Sequence, residues 1–434
     1  MTKKFAAMLT AGIIFLTTPS LAQAVEDFSD EPIVDAPFAE VSPPPLDEDE
    51  KNIQPPVTEP QPIEEPKPID EPQPEPVTEP QPQPINEPQP IEEPKPQPIE
   101  EPQPVEEEGL EFLVYHKDGV MAFAIIADHE KYQLRPVLAK GQVRGRATVS
   151  EMNASDAIAT INASYFAPSG EILGNTKIDG LTAGTTYFIR SAIGIRADGS
   201  TIFGRQTWRG VLQFNGNEVG VDGVDCERPE NSVIVYNGLY GATTGTNNFG
   251  VEIVVQDGVV TEIFKDAGNN YIPPAGYIIS AHGTAAEQFS TVYVGDKISF
   301  DEDYINVEHG ADFNEAIHII GAGPTLVKGG EVYVTVDAEQ FPNDIRVGRA
   351  PRSAVGITQY GDYIFAVVDG RQTHSKGCTL DEWARILKNH FGAVEAINLD
   401  GGGSSELVFK GKAVNIPSDG RERPVGDALT IIRR

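Results

Sequence analysis

Residues 396–405 read AINLDGGGSS, a short apolar run followed by three glycines and two serines. The run delivers an amide and a carboxylate to its end, which predicts a strand that stops at a polar loop. Glycine accepts backbone angles closed to other residues and lets main-chain N–H groups approach a ligand, so we expect the glycines to supply donors. The alternative is a plain turn. The candidate contacts are Asn398, Asp400, Gly401, Gly402, Gly403, Ser404 and Ser405.

The first 24 residues have the three parts of a secretory signal peptide. Lys3 and Lys4 precede an apolar run at residues 5–16, and small residues at 21–24 suggest cleavage after Ala24. The alternative is an uncleaved anchor, but the apolar run is shorter than a membrane span requires. We expect a secreted, periplasmic or cell-envelope protein whose mature chain has no transmembrane span.

Residues 25–108 form an acidic, proline-rich region built from repeats of Glu-Pro-Gln-Pro and related units. Their net charge is −22, which leaves −12 for residues 109–434. Proline fixes φ and removes backbone donors, so we expect a disordered, extended linker that serves as a spacer or as a stalk through an envelope polymer. An acidic remainder without a basic patch argues against nucleic acid as a partner.

Residues 109–434 alternate short apolar runs with Gly and Asp-Gly turns, which predicts one large domain of the α+β class. We expect a mixed β-sheet core with a few flanking helices. The clearest helix begins after Thr379, which with Glu382 forms a capping box, and runs to Phe391 before Gly392. The predicted strands cover 112–115, 120–126, 158–163, 192–196, 252–256, 259–264, 277–280, 325–328, 331–336, 354–358, 363–369, 393–399, 406–410 and 428–432.

That helix lies between two predicted strands and so forms a strand, helix, strand crossover. If the strands are parallel, their carboxyl ends meet at one edge of the sheet, where ligands commonly bind. Asp369 and Arg371 follow the first strand and Asp400 follows the second. We therefore expect these three side chains to face one cleft.

Three further polar side chains lie beside predicted strands. Asn162 ends a strand, where it binds substrate or satisfies a turn. His282 also ends a strand and is a candidate acid or base, although a single histidine is more often structural. Arg352 begins a strand and could grip a phosphate, its alternative being a surface ion pair.

Together these motifs resemble those of the phosphodiester glycosidase family. The resemblance covers residues 150–434 and is strongest from Arg349 onward. Two departures are Ala163-Ser164, where the family often has two glycines, and Glu406, where a small hydroxyl residue is common. The matching stretches are NASYF at 162–166, GPTLV at 323–327, PRSAVG at 351–356, VDGRQ at 368–372, NLDGGGSS at 398–405, and NIPSDG with a later Arg-Pro at 415–424.

The resemblance implies hydrolysis of the bond between an anomeric carbon and a phosphate, with N-acetylglucosamine as one possible sugar. Arg352 and Arg371 would hold the phosphodiester. A phosphate is a good leaving group, so one carboxylate suffices to activate water or stabilise the oxocarbenium ion, Asp400 before Asp369. Asn162 and Asn398 would orient sugar hydroxyls, with His282 as an optional acid or base.

Other possibilities stay open from the sequence. The carboxylates and amides could hold Ca²⁺ or Mg²⁺, although no loop of fixed cation-binding spacing is present. The enzyme could instead be a phosphodiesterase that cuts the P–O bond, or the protein could bind a glycan without catalysis. Cys226 and Cys378 could form a disulfide or remain free thiols.

Overall fold

Short apolar runs separated by glycine turns fold into strands throughout the part of the chain that the computed structural model describes, residues 108–434 except 187 and 309. β-Branched and aromatic residues favour extended backbone because they pack well on a pleated surface. The α-helices in this part are α1 (Val149–Met152), α2 (Asn343–Arg346) and α3 (Leu380–Asn389). Short 3-10 helices lie at Ala139–Gly141, Gly283–Phe289, Phe313–Glu315 and Gly402–Ser404. The strands are β1 (Leu110–Lys117), β2 (Val120–Ala127), β3 (Tyr132–Leu138), β4 (Ala157–Asn162), β5 (Thr176–Ile178), β6 (Leu181–Gly184), β7 (Arg190–Ile195), β8 (Thr201–Phe214), β9 (Asn217–Val221), β10 (Gly223–Val224), β11 (Val233–Asn237), β12 (Val251–Gln256), β13 (Val259–Lys265), β14 (Tyr277–Ala281), β15 (Ile298–Asn306), β16 (His318–Gly321), β17 (Thr325–Lys328), β18 (Glu331–Val332), β19 (Arg352–Thr358), β20 (Tyr363–Val368), β21 (Ala393–Asn398), β22 (Leu407–Phe409), β23 (Lys412–Ala413) and β24 (Asp427–Arg433).

The strands assemble into four sheets, which we name A to D. The pairs are antiparallel except β10 with β11 in sheet D. The predicted predominance of strands is therefore confirmed, whereas a mixed sheet occurs only in D. The orders are β1-β2-β20-β19-β21-β17-β18 in sheet A, β23-β22-β4-β24-β3 in sheet B, β15-β8-β7-β16-β5-β6 with β9 beside β8 in sheet C, and β10-β11-β14-β12-β13 in sheet D.

The centre of sheet A is covered on both faces, and β20 is therefore apolar and buried at every position. Phe365 and Val367 of β20 face a core shared with sheet B, where Ile161 and Leu429 pack against them. Ile364, Ala366 and Val368 of the same strand belong to a second core beneath α3. The alternation along β20 thus places its aromatic side chains on the face towards sheet B and only aliphatic ones on the face beneath the helix.

The helix α3 covers the second face of sheet A. Thr379 accepts from the Glu382 N–H while the Glu382 side chain accepts from the Thr379 N–H, so the predicted capping box is confirmed. Trp383 and Leu387, one turn apart, are fully buried against the sheet. The helix ends at Asn389, two residues before its predicted end, and Gly392 follows with φ of 73°.

The strands on either side of α3 run parallel to each other. Each of β20 and β21 pairs antiparallel with β19, which lies between them. Their carboxyl ends therefore emerge at the same edge of sheet A, as predicted. We name this edge the loop edge, and the amino end of β19 lies there too, since Arg352 pairs with Val368.

The remaining predictions concern the first 108 residues, a membrane span and the two cysteines. The predicted signal peptide at 1–24 lies outside the described residues, and so does the linker up to residue 107. In the described part, no helix is long and apolar enough to cross a membrane. Cys226 and Cys378 are both free thiols, and burial raises the pKa of each to about 12.

Candidate active site

The loop at residues 400–405, which we name the glycine loop, is tied to both sheets A and B. The Asp400 N–H donates to the carbonyl of Ala163, directly after β4, at 2.9 Å. The Gly402 N–H donates to the carbonyl of Pro351, directly before β19, also at 2.9 Å. The loop therefore sits where the ends of the two sheets meet.

The glycines make room for arginine side chains rather than for the ligand contacts that we expected. The Gly401 N–H donates to its neighbour Asp400 Oδ1 at 2.8 Å, so two of the three expected donors are used within the chain. A Cβ on Gly402 would lie 3.3 Å from the Arg371 guanidinium, and one on Gly403 would lie 2.1 Å from that of Arg423. Larger residues here would displace both arginines.

Asn162 holds the glycine loop in place. It is fully buried, its Nδ2 donates to the Asp400 carbonyl at 2.7 Å, and its Oδ1 accepts from Ser353 Oγ at 2.7 Å and from the Glu406 N–H at 3.1 Å. These bonds join β4, β19 and the glycine loop. The expected contact of Asn162 with sugar hydroxyls is therefore corrected to a positioning role.

Asp400 lies at the centre of the site with part of its surface exposed. Burial raises its pKa to about 6, although hydrogen bonds from Ser404 and the Gly401 N–H and the charge of Arg423 act in the opposite direction. A carboxylate with such a pKa is ionised at neutral pH and is more basic than an ordinary aspartate.

Asp427 is a second carboxylate of the site, which the sequence reasoning missed. It is buried at the start of β24 and accepts from the N–H and the Oγ of Ser164, both at 2.8 Å. Burial raises its pKa to about 6, and repulsion from Asp400 contributes. The available signal was an acidic residue that begins an apolar strand, shortly after the matching stretch at residues 415–424.

Arg352 and Arg371 form a cationic pair beside the glycine loop. Arg352 is 3% exposed and donates only to the carbonyls of Cys378 and Gly348, both at 3.3 Å. Burial lowers its pKa, and Arg371 lowers it further by repulsion. Among the described residues, no carboxylate forms an ion pair with Arg352. Two neighbouring guanidiniums without a counter-charge are suited to an anion.

Asn398 and Tyr165 form one wall of the site. Asn398 Nδ2 donates to Tyr165 Oη at 3.1 Å, and that hydroxyl donates to the Gly323 carbonyl at 3.0 Å. The buried Asn398 Oδ1 has no partner within the described range. The Tyr165 ring lies 5.5 Å from that of Phe341. Repulsion from Asp400 adds to burial in raising the pKa of Tyr165, which places the two side chains close together.

Asp369 is brought to the same edge but is less accessible than Asp400. It is 1% exposed, and its Oδ2 lies 2.9 Å from His374 Nε2 while its Oδ1 accepts from the Ile416 N–H at 3.0 Å. Burial raises its pKa, and His374 lowers it. The sequence reasoning missed His374, although it follows Asp369 in the same turn. Asp369 therefore orients this turn and its neighbours.

The serines differ in their surroundings. Ser404 Oγ hydrogen-bonds to the Asp400 carboxylate and accepts from Arg423 Nη1 at 3.4 Å. Arg423 also pairs with Asp419 at 2.7 Å. The buried Ser405 Oγ has no hydrogen-bond partner in the described part of the chain.

Glu406, a departure from the family pattern, is buried at 2% exposure beside the site. Burial raises its pKa to about 8, and Glu422 raises it further through repulsion and a hydrogen bond. The side chain is therefore largely protonated at neutral pH. It adds a neutral carboxyl group, not a second negative charge, next to Asn162.

His282 lies elsewhere, after β14 of sheet D, and the structure does not bring it to the glycine loop. Its ring is 5.9 Å from that of Phe249, and its buried Nδ1 has no described partner. It lines a separate cavity with residues such as Lys265 and Glu287. The position of His282 at a strand end was the reason to expect it in the site. That expectation was wrong because β14 does not end at the loop edge.

The candidate Ca²⁺ or Mg²⁺ ligands Asp369 and Asp400 do not join a third acidic, histidine or cysteine side chain at ligating distances. The one such cluster in the described residues is Asp128, His129 and Asp362. It lies in the turns after β2 and before β20 of sheet A, where Asp362 also contacts the His129 ring at 3.2 Å.

Comparison with known proteins agrees with the resemblance seen in the sequence. The family model described as phosphodiester glycosidase matches residues 249–432, which include Arg352, Arg371 and Asp400. N-acetylglucosamine-1-phosphodiester alpha-N-acetylglucosaminidase of Mus musculus is 32% identical over 127 residues. That alignment covers 27% of this chain and 24% of the mouse protein, so the chain spans about a quarter of that relative.

Two solved structures share the fold. A hypothetical protein from Synechocystis superposes with a TM-score of 0.65 at 22% identity, covering 75% of this chain and 62% of that one. A putative exported protein from Burkholderia pseudomallei gives a TM-score of 0.61 at 24% identity, with 72% and 74% covered. Both extend the similarity beyond the residues that the family model matches.

Proposed function

We propose, from the premise that residues 249–432 form a phosphodiester glycosidase domain, that this chain hydrolyses the glycosidic bond of a sugar 1-phosphodiester. The observation that carries the proposal is the pair of Arg352 and Arg371 beside Asp400. It combines an anion site without a counter-charge and a basic carboxylate within one loop cluster. A sugar phosphodiester needs both.

The arginines would bind the phosphodiester and stabilise the charge that develops on it. As the bond from the anomeric carbon to oxygen breaks, its electron pair stays on the phosphate oxygen, so negative charge grows where Arg352 and Arg371 donate. Phosphate is a weak base and leaves without a protonating acid. This fits the absence of a second accessible acid beside Asp400 among the residues described above.

Asp400 would act on the water that replaces the phosphate. The water oxygen bonds to the anomeric carbon, and its proton passes to the carboxylate, which has an elevated pKa and is partly exposed. Asp369 is the weaker candidate because it is buried and holds His374 and the Ile416 N–H. Asp400 and Asp427 repel each other, and this repulsion adds to burial in raising the pKa of Asp427.

The wall of Tyr165 and Asn398 would receive the sugar. Aromatic rings pack against the apolar face of a pyranose, and the partnerless Asn398 Oδ1 can accept from a hydroxyl. An N-acetylglucosamine unit is the sugar that the mouse relative's name suggests as a first substrate.

The assay is release of free sugar from N-acetylglucosamine 1-phosphate methyl diester by the full chain. Reaction in water labelled with heavy oxygen distinguishes the bond that breaks. Label in the sugar supports the proposal, whereas label in the phosphate would identify a phosphodiesterase. No release from a panel of sugar 1-phosphodiesters, together with glycan binding, would identify a binding protein.

We also propose that the chain is exported and acts in the cell envelope or beyond it. The signal-like residues 1–24 and the acidic proline-rich residues 25–108 support this. Mass spectrometry of the protein from its native host should give an amino terminus at Val25. An intact Met1 would contradict export by cleavage.

A further inference from the structure

A cavity of about 320 Å³ lies between the β1–β2 hairpin and α3, on the helix side of sheet A. It is separate from the glycine loop, and no role has been given to it above. The residues that matter for its chemistry are Tyr115, Lys117, Lys376, Arg385, Asn389 and His390.

The cavity carries an excess of positive charge. Lys117, Lys376 and Arg385 are exposed, and none of them forms an ion pair within the described part of the chain. Of the two carboxylates in the lining, Glu382 is already paired with Arg349, which leaves Asp118. Since residues 109–434 carry a net charge of −12, this local excess runs against the domain's average. The charge predicts an anionic ligand.

The same cavity offers surfaces that a sugar uses. The half-buried Tyr115 ring packs edge-on against the His390 ring, with centroids 5.0 Å apart, and this contact fixes its orientation. Asn389 adds an amide that donates and accepts. An oriented aromatic ring beside an amide and free cations favours an anionic carbohydrate over a bare inorganic ion.

The cavity and the active site are connected through a shared wall. Cys378 lines the cavity, and its carbonyl accepts from Arg352 Nε at 3.3 Å. The turn that carries Arg371 continues to Lys376, whose N–H donates to the Gly119 carbonyl at 3.0 Å. The hairpin tip and the glycine loop therefore lie at the same edge of sheet A.

We propose that this cavity binds a neighbouring charged unit of an anionic glycan polymer whose phosphodiester is held by Arg352 and Arg371. The role of Arg352 and Arg371 in this proposal rests on the proposed function. The substrate class that follows is a polymer with repeated negative charge. Lys117, Lys376 and Arg385 then discriminate a polymer from a single diester.

The test compares a single sugar 1-phosphodiester with a short oligomer of sugar 1-phosphate units, using the full chain. In the variant that combines Lys117→Gln, Lys376→Gln and Arg385→Gln, KM for the oligomer rises about tenfold, since three exposed charge contacts, each weakened by solvent, are lost. KM for the single diester stays within about twofold, because the cations do not contact it.

The matched control combines Arg146→Gln, Lys297→Gln and Lys412→Gln, which removes the same charge from exposed positions elsewhere. Equal effects of the two triple variants on the oligomer would overturn the proposal, and so would no effect of either. Calorimetric binding of the oligomer is measured in parallel. If the wild type cleaves neither substrate, the proposed function fails, and the difference in oligomer binding between the two variants still decides the role of the cavity.

Discussion

Two buried arginines, one beside sheet D and one in sheet A, show how the surroundings of a charge distinguish a structural role from a binding role. Arg228, 9% exposed beside sheet D, donates to Ser280 Oγ at 2.9 Å and to Asn247 Oδ1 at 2.6 Å, with attraction from Glu252. Arg352, 3% exposed at the loop edge, has two longer bonds to carbonyls and a like-charged neighbour, Arg371. Burial lowers the pKa of both guanidiniums.

The difference indicates which buried charges are candidates for binding a ligand. A buried ion costs several kcal/mol unless partners replace its water, so a protein retains a poorly compensated one only where something else compensates it. Around Arg228 most of that compensation is internal, although its Nε has no partner in the described residues. At Arg352 it is left to a ligand, and the carboxylates follow the same division, since Glu252 accepts four hydrogen bonds whereas Asp400 is partly exposed.

The largest expected effect separates the two carboxylates. Asp400→Asn should lower kcat about 10³-fold, because the amide cannot accept the proton of the attacking water, while Tm changes little. Glu252→Gln should lower Tm and leave kcat nearly intact. Sugar release and calorimetric melting measure both. Unfolding of Asp400→Asn would make Asp400 a structural turn residue.

The second effect separates the arginines themselves. Arg352→Met should lower kcat/KM about 10²-fold, because one donor to the departing phosphate is lost, and Tm should hold or rise once an uncompensated charge is removed. Arg228→Met should do the reverse, with a loss of about 3 kcal/mol in the free energy of unfolding and little change in kcat/KM. If Arg352→Met is the less stable of the two variants, the contrast is wrong.

A smaller effect tests why the glycine loop lacks side chains. Gly402→Ala places a Cβ against the Arg371 guanidinium at φ of 65°, and we expect KM to rise several-fold. Gly411→Ala is the matched control, since its φ is 75° and nothing lies within 4 Å of the added Cβ. Both variants should lose about 1 kcal/mol of stability from backbone strain. Equal KM values would show that the Arg371 contact does not matter.

The smallest effect is a shift in pH dependence. The activity should rise with pH through about 6 as Asp400 ionises. Asp427→Asn removes a neighbouring negative charge, so this rise should move to lower pH, by less than one unit in the kcat/KM profile. A shift in the opposite direction would show that Asp427 does not repel Asp400.

The raised pKa values of Asp400 and Asp427 also determine how the stability of the fold changes with pH. Asp400 and Asp427 have raised pKa values in the folded protein, so the native state binds protons that the unfolded chain has released. Between about pH 4 and 6 the free energy of unfolding from this source therefore falls as pH rises. Denaturation in urea across this window measures the fall, which Asp427→Asn should reduce.

The sequence predicted those parts of the fold whose signals are local. The capping box at Thr379 and the apolar runs of β20 and β21 are each recognisable from a few consecutive residues. The long strand β8 escaped prediction because Gly204 and Gly210 interrupt its pattern; the Trp208 ring covers Gly210, at 2.4 Å from where its Cβ would be. The predicted strand at 331–336 stops at Val332 because Thr335 and Glu339 turn towards Thr325 instead.

The site was predictable in its motifs and not in its internal partners. Asp400, Arg352 and Arg371 stand in recognisable stretches, and the crossover placed Asp369 near them. Asp427 and His374 act through partners that are distant in sequence or depend on the shape of a turn. For the same reason the sequence could not show that the side chain of Asn162 forms its hydrogen bonds with other residues of the chain.

The buried amide of Asn162 has a consequence for the rigidity of the site. One side chain from sheet B fixes the carbonyl of Asp400, the hydroxyl of Ser353 and the N–H of Glu406. Any relative displacement of the two sheets would have to break these bonds first, so the geometry at Asp400 is insulated from changes elsewhere.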